Sequence, residues 1–256
     1  MSLTNTYKYR DLVFNLVMKD IRVRYMGAFL GFAWSLVNPL VTTLTYVFVF
    51  TYLFPSRQHH YPLYLVVGIL HWNLFSTVVG QSSEVMVSNA SLLQKMYFPR
   101  YLIPLSSVLV SLVLWLAALA VFLIVYIFIG GKLDFILLLE PVFLIFLVAF
   151  IYGITLILSV LYIEFRDLKH LVDVVLQVLF WLTPIVYTIS RVPEAVRRVM
   201  EATPFTEFVI IAHSLFYYQQ FPPLYIVLGF ICWTGLTLSV GIWMFKQQVP
   251  ILVERL

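Results

Sequence analysis

Charge is scarce in this chain, and that scarcity excludes most classes of protein of its length. Only 11 % of the 256 residues are charged and 62 % are hydrophobic. In a soluble domain about 25 % of residues are charged and roughly 45–50 % are hydrophobic. So few charges cannot cover the surface of a soluble domain of this size. The composition excludes a disordered chain, a disulfide scaffold and a cytosolic enzyme, and it indicates an integral membrane protein.

Cysteine and catalytic motifs are scarce as well. Cys232 is the only cysteine, so an internal disulfide is impossible. The sequence has no paired Cys/His metal motif, no Gly-x-Ser-Gly, no Asp-x-Asp and no Gly-x-x-x-x-Gly-Lys-Ser/Thr. We therefore expect no enzyme activity, no metal and no cofactor in this chain, and no ATP bound through a P-loop of its own.

Long uncharged runs divide the chain into membrane spans. A helix needs about 20 apolar residues to cross a hydrocarbon core of roughly 30 Å. The runs predict six spans, at about residues 31–54, 64–85, 102–129, 141–161, 174–189 and 225–245. The apolar stretch from Phe208 to Phe221 is too short to cross, which favours a re-entrant or interfacial segment. The predicted fold class is an all-α integral membrane protein with six transmembrane helices, an N-terminal amphipathic interfacial helix and a periplasmic re-entrant helical segment.

The distribution of lysine and arginine orients these spans. With six spans both termini lie on one side, and that side collects eleven of the sixteen basic residues. The positive-inside rule then places both termini in the cytoplasm. The predicted organisation is a cytoplasmic elbow helix (1–28), a transmembrane domain (29–248) that contains a periplasmic re-entrant segment (191–221), and a cytoplasmic tail (249–256).

The predicted spans contain no charge at their centres, and Glu84 and Glu140 fall at span ends. Carriers coupled to protons or ions commonly need an ionisable relay inside the membrane. A secondary transporter is therefore disfavoured, although Na⁺ sites built from backbone carbonyls stay possible.

Two segments on the cytoplasmic side have helical signals. Tyr9 to Met26 carries a polar stripe at helical spacing, formed by Asp11, Asn15, Lys19 and Arg22. It is either a plain interfacial anchor or an elbow that also contacts a cytoplasmic partner. Ser88-Asn89 offers an N-cap for a short helix from Ala90 to Phe98, whose large apolar residues we expect to be exposed for a partner or for the membrane interface.

Mild polar residues inside the spans form two further stripes. Asn38, Thr42 and Thr45 lie at i, i+4 and i+7 of the first span, and Gln177 and Trp181 have helical spacing in the fifth. Either stripe could face a transport path or make hydrogen bonds between helices. Aromatic residues, 17 % of the chain, belong mostly to interfacial belts and packing, and a minority could line a path for sugars.

Several motifs in fixed order resemble one family. They are Arg10-Asp11-Leu12, the run Lys19 to Tyr25, Leu30-Gly31, Trp34, Asn38-Pro39, Gly68-Ile69-Leu70, Trp72, Leu92 to Pro99, Phe165 to Leu168, Thr183 to Tyr187 and Val192-Pro193. This order and spacing, over nearly the whole chain, is similar to type-2 ABC permeases that export polysaccharides. The resemblance is closest to the membrane subunit of O-antigen transporters, with capsule and teichoic acid exporters as near relatives.

The resemblance implies a bacterial inner-membrane homodimer that is docked on two separate ATPase subunits and moves a lipid-linked glycan outward. ATP and Mg would be bound by the ATPase subunits. The residues expected to couple to the ATPase are Leu92, Leu93, Lys95, Met96, Tyr97, Phe98, Arg166, Asp167 and Lys169. The candidate channel lining is Asn38, Thr42, Thr45, Gln177, Trp181 and Tyr187, and the candidate periplasmic gate is Phe205, Phe208, Phe216 and Tyr217.

One departure from the family pattern limits this transfer. Where relatives commonly have Asn-Pro and then an arginine, this chain has Thr203-Pro204 and His213-Ser214. A role assigned to that arginine therefore cannot be carried over to this chain.

The need for a second copy also follows from the chemistry of a glycan. Each lost hydrogen bond of a sugar hydroxyl costs about 1–3 kcal/mol, so a glycan needs a lined conduit, and one six-helix bundle has little room for it. The alternatives are a permease for teichoic acid, capsule or a small drug-like molecule, an ATP-independent channel, and a membrane scaffold that transports nothing.

Overall fold

The structure, a computed structural model, describes residues 9–26, 31–53, 60–95, 98–128 and 134–255. It is 86 % helical, with no strand in those ranges, which confirms the predicted all-α class. The helices of these ranges are α1 (Arg10–Tyr25), α2 (Trp34–Phe48), α3 (Tyr61–Ser82), α4 (Val85–Ser88), α5 (Ala90–Lys95), α6 (Leu102–Phe128), α7 (Glu140–Glu164), α8 (Leu168–Leu182), α9 (Glu194–Glu201), α10 (Pro204–His213) and α11 (Leu224–Arg255). Turns of 3₁₀-helix precede α2, α7 and α9 (Gly31–Ala33, Phe135–Leu139 and Ile189–Arg191), and π-turns follow α2 and α10 (Val49–Leu53 and Ser214–Tyr218).

Four stretches of helix in the described residues are long and apolar enough to cross a membrane. They are Tyr61–Ser82, Leu102–Ile127, Phe135–Glu164 and Leu224–Gln248. They coincide with the second, third, fourth and sixth predicted spans, and they make the chain a multi-pass membrane protein. The helices in the first and fifth predicted spans, α2 and α8, have fifteen residues each, fewer than the roughly 20 that a complete crossing needs. Four of the six predicted spans therefore coincide with helices that are long and apolar enough to cross a membrane.

The position of α8 differs from the fifth predicted span. The helix begins at Leu168 and ends at Leu182, so it lies nearer the N-terminus than residues 174–189. Thr183 leaves the helix with φ −88° and ψ 140°, because a residue that precedes proline is sterically excluded from the helical region. Pro184 therefore ends α8 and starts an irregular segment that continues to Thr188.

The helix bundle has two ends, each marked by contacts between helices or the segments that join them. At one, named here the α1 end, the Lys19 ammonium of α1 donates to the Asn89 side-chain carbonyl at 3.1 Å. The beginning of α3 lies at the other, the opposite end, where the Tyr64 hydroxyl is 2.9 Å from the Pro184 carbonyl oxygen. Helices α3, α6, α7 and α11 run between these two ends.

Aromatic side chains fill the core between α3, α7, α10 and α11. The largest side chains that are less than 2 % exposed include Phe75, Phe150, Phe208 and Phe230, and their ring centroids lie 5.4–6.4 Å apart in successive pairs. Such separations are typical of favourable aromatic pairs. Helix α3 is the centre of this packing, because it contacts α2, α6, α7, α8 and α10.

Helices α7 and α11 cross with their backbones in contact, and two glycines allow it. A Cβ atom built on Gly153 would lie 2.7 Å from the backbone nitrogen of Leu238, and one built on Gly241 would lie 2.5 Å from the Gly153 carbonyl oxygen. Small residues at such crossings let helices in a membrane gain van der Waals contact that lipid cannot supply. This pair has the most extensive contact between helices of the described chain.

Candidate functional site

The first group of predicted functional residues lies at the α1 end. We name α5, Phe98 and the turn Arg166–Lys169 the α1-end platform. The Asn89 backbone carbonyl accepts from the N–H groups of Leu92 and Leu93, both at 3.1 Å, and so begins α5. Lys95 is exposed and Leu92 is half-buried. Met96 and Tyr97 lie outside the described residues.

Two residues of the platform pack into their own chain. Leu93 and Phe98 are 5 % and 8 % exposed. Their cluster joins α4, α6, α7 and α11, and its other buried members are Val85, Met86, Leu102, Ile103, Leu156, Val160 and Phe245. The expectation that these apolar residues are exposed is therefore wrong for Leu93 and Phe98. They anchor the short helix to the bundle, which leaves its polar face outward.

One ion pair ties the turn between α7 and α8 to Glu84, the residue that precedes α4. The Lys169 ammonium donates to the Glu84 carboxylate at 2.6 Å, and both side chains are partly exposed. That hydrogen bond stabilises the charged lysine and raises the pKa of Lys169, which keeps it protonated at neutral pH. Arg166 and Asp167, the other residues predicted here, are exposed.

An open groove separates α1 from α5. It has a volume of about 590 Å³ and is lined by apolar side chains at its floor and by Lys19 and Lys95 at its edges. The apolar residues that line it are Leu12, Leu16 and Leu92. Two lysines beside an apolar floor favour a partner segment that presents acidic side chains next to an apolar one.

The two polar stripes lie on exposed faces of α2 and α8. Thr42 and Thr45 are exposed, and the Thr45 hydroxyl donates to the Val41 carbonyl at 2.9 Å. The side chain of Asn38 lies outside the described residues. Gln177 is exposed and Trp181 is 53 % exposed, whereas Tyr187 is half-buried and donates back to the Leu182 carbonyl at 2.9 Å.

The predicted gate residues lie on α10 and on the π-turn that follows it. Thr203 caps α10, since its hydroxyl accepts from the Thr206 N–H. Phe208 is 0 % and Phe216 is 2 % exposed, so both belong to the aromatic core. Phe205 is half-buried against Phe75, and the half-buried Tyr217 contacts the rings of Tyr64 and Tyr218.

Tyrosines of α3 hold the segments of the opposite end together. The Tyr64 hydroxyl lies 2.9 Å from both the Pro184 and the Tyr187 carbonyl oxygens, and Tyr61 donates to the Val186 carbonyl. The His213 ring stacks on Tyr64 with centroids 3.7 Å apart, and its Nε2 lies 3.0 Å from the Tyr64 carbonyl oxygen. Helix α3 thus positions the turn after α8 and the end of α10 together.

We expect Tyr64→Phe to lower the free energy of unfolding by about 1–2 kcal/mol, because carbonyls buried beside the ring lose their donor. The measurement is unfolding of the purified protein in detergent, followed by tryptophan fluorescence. Tyr225→Phe is the matched control. Tyr225 is 62 % exposed, and its hydroxyl donates a long hydrogen bond of 3.3 Å to the Glu201 carboxylate. Equal stabilities for the two variants would contradict a role of Tyr64 in holding this end.

Sequence reasoning missed three buried ionisable side chains. His71 is 0 % exposed on α3; its Nδ1 lies 2.8 Å from the Val67 carbonyl and its Nε2 3.1 Å from Glu140 Oε1. Because that carbonyl can only accept, Nδ1 carries the hydrogen of this bond. His213 is the second of these side chains. Counting only Asp, Glu, Lys and Arg inside the predicted spans hides His71, and His213 lies outside those spans.

The third missed side chain, Glu207, packs against a glycine. Glu207 is 4 % exposed on α10, and a Cβ on Gly229 of α11 would lie 2.0 Å from its Oε1. Its Oε2 is buried with no hydrogen-bond partner among the described residues. An ionised carboxylate in this place would be costly. A glutamate inside a run of apolar residues is the signal that could have identified it.

Comparisons with known proteins give one consistent result. Residues 11–217 match the family model described as ABC-2 type transporter. The chain is 32 % identical over 218 residues to an O-antigen export system permease protein RfbA of Myxococcus xanthus, which covers 84 % of each chain. Two proteins of the same name from Klebsiella pneumoniae are 30 % and 31 % identical, over 240 and 228 residues. These alignments cover 93 % and 86 % of this chain and 92 % and 87 % of the relatives.

Proposed function

Because the chain belongs to the ABC-2 type transporter family, we propose that it is the membrane permease of an ATP-driven exporter of a lipid-linked, O-antigen-like polysaccharide. The observation that carries this proposal is the likeness to three O-antigen export permeases, each at least 30 % identical over most of both chains. The described residues hold no group of His, Cys, Asp or Glu side chains that could bind a metal ion.

We propose six spans, with both termini in the cytoplasm of a bacterium and the chain in its inner membrane. Helix α2 and its π-turn together have twenty residues, Trp34–Leu53, which extend about 30 Å at 1.5 Å per residue and match the hydrocarbon core. Helix α8 is shorter, but its face is apolar and exposed, with Leu171, Val174 and Val178 each more than half exposed. Such a face is stable against lipid or against another apolar helix. Because both termini are cytoplasmic in this proposal, the α1 end faces the cytoplasm.

The energy for transport comes, in this proposal, from two separate ATPase subunits that bind ATP and Mg. The α1-end platform and the adjoining groove are their docking surface. Leu93 and Phe98 make the platform rigid, since they are buried in the bundle, and Lys95 is free to meet the partner because it is exposed. A rigid short helix transmits a push to α4 and α6 that a loose loop would absorb.

A second copy of the chain completes the conduit. Thr42, Gln177 and Trp181 are exposed on the single chain, and the amide of Gln177 would lose hydrogen bonds if it faced lipid. A partner bundle against α2 and α8 would enclose these side chains in a path where sugar hydroxyls replace water. Asn38, Thr45 and Tyr187 belong to the same proposed lining.

The opposite end is then periplasmic, and α9, α10 and the π-turn form the re-entrant gate. Phe208 and Phe216 hold this segment in the core, because both are almost completely buried. Phe205 and Tyr217 are half-buried, so they are the gate residues that can move without exposing the core.

Export in a deletion strain tests the function. A strain that lacks its own O-antigen permease and ATPase is supplied with this chain and an ATPase subunit from the same genome, and surface glycan is measured. We expect glycan to return only when both genes are present, and the ATPase to copurify with the permease. Glycan without the ATPase would indicate a channel, and a complex that exports another polymer or a drug would identify a different permease. Failure to bind any ATPase would contradict the proposal as a whole.

A further inference from the structure

A crevice between α1, α3 and α6 is not used by the proposed coupling, lining or gate. Its volume is about 410 Å³, within the range of sites that bind small molecules. Arg24 and Gln81 stand at its mouth at the α1 end, where the Arg24 guanidinium donates to the Gln81 side-chain carbonyl at 2.6 Å. Both are exposed.

The crevice reaches far into the bundle. It extends along α3 from Gln81 to Leu70, eleven residues or about 16 Å at 1.5 Å per residue. That distance is roughly half the thickness of a hydrocarbon core. A molecule that fills it would therefore occupy the depth of one leaflet, with one end at the α1 end and the other at the bilayer centre.

Polarity changes along the crevice in the order that an amphiphile requires. Asn73, Thr77 and Gln81 lie on one face of α3 at i, i+4 and i+8 and continue the polar mouth inward. Ser111 of α6 also lines the crevice. The polar side chains of α3 therefore continue from the mouth as far as Asn73.

The deep part of the crevice is apolar. Beyond Asn73 its walls are Leu70, Leu114, Trp115 and Ala118. The indole N–H of Trp115 already donates to the Leu70 carbonyl at 2.8 Å, so the ring offers this part of the crevice only its hydrocarbon surface. Nothing polar remains here to hold a headgroup or a sugar.

We propose that this crevice binds a phosphate-bearing amphiphile, with the phosphate at Arg24 and Gln81 and one hydrocarbon chain along α3 toward Trp115. Arg24 uses one of its five N–H groups on Gln81 and retains others for a phosphate oxygen. The charge excludes a neutral amphiphile, and the apolar depth excludes a free anion. This proposal requires that the chain is a membrane protein, but it does not depend on the proposed export of a glycan.

Binding of farnesyl phosphate to the full chain, purified in detergent, tests this site. The measurement is saturable ligand retention by native mass spectrometry, with farnesol and inorganic phosphate as separate probes. We expect only farnesyl phosphate to bind. Equal binding of inorganic phosphate would show an anion site, and equal binding of farnesol would show an apolar groove; either result overturns the proposal.

Three variants locate the ligand. Arg24→Gln should weaken binding of farnesyl phosphate at least tenfold, since charge-assisted hydrogen bonds are lost. Arg22→Gln removes the same charge from an exposed position of the same helix, outside the crevice lining, and should bind as the unchanged protein does. Ala118→Leu narrows the apolar end and should also weaken binding. Unchanged binding by both Arg24→Gln and Ala118→Leu overturns the assignment, and so does an equal loss in Arg22→Gln. Glycan export is measured in a separate experiment, so failure of this site can be told apart from failure of the proposed function.

Discussion

Replacing Gly241 with alanine is expected to lower the free energy of unfolding by about 3 kcal/mol, the upper end of the usual cost of overpacking. The added Cβ would lie 2.5 Å from the Gly153 carbonyl oxygen, and a backbone atom cannot turn aside as a flexible side chain can. The helices α7 and α11 would have to separate along their whole crossing. Unfolding in detergent, followed by tryptophan fluorescence, measures the loss.

Gly235→Ala is the matched control for that variant. Gly235 lies on the same helix, and a Cβ built on it meets nothing within 4 Å. Alanine there should leave stability unchanged or raise it by about 0.5–1 kcal/mol through its higher helix propensity. If Gly241→Ala were as stable as Gly235→Ala, the backbones of α7 and α11 would not be in contact.

The sequence predicts the long helices well because a single property, the length of an apolar run, determines them. Apolar runs of the length that a bilayer requires placed α6 between residues 102 and 129, and the structure has it at Leu102–Phe128. Helix α8 was harder, because Leu168 to Asp173 carries charges that a hydropathy argument assigns to a loop. Lys169, in this stretch, bonds to Glu84, a partner 85 residues away that no local pattern specifies.

Residues of the site were less predictable, since their environment depends on elements distant in sequence. Leu93 and Phe98 were expected to be exposed because they lie in a cytoplasmic loop of the predicted topology. The structure buries them under residues such as Phe245, far along the chain on α11. The same reason hid the α7–α11 crossing: Gly153 and Gly241 are 88 residues apart, and only the folded chain brings them together.

The α1-end platform leads to the second prediction, which concerns transport. We expect Lys95→Glu to reduce glycan export and the substrate-stimulated activity of the bound ATPase at least tenfold, while the protein folds normally. Lys95 is exposed and lines the edge of the groove between α1 and α5. A glutamate there would repel the acidic partner segment that two lysines favour, and like charges brought together at an interface cost several kcal/mol. Surface glycan and ATP hydrolysis by the purified complex are the two measurements.

Lys246→Glu separates this effect from a general change of charge. Lys246 is exposed and follows Phe245, which packs in the same cluster as Leu93 and Phe98, so both lysines lie at the α1 end. The control reverses the same charge at the same end of the bundle, but away from α5 and the groove. If electrostatic attraction to the ATPase is spread over the whole end, the two variants will lose export equally. A loss confined to Lys95→Glu would mean that the partner meets the chain at the groove beside α5.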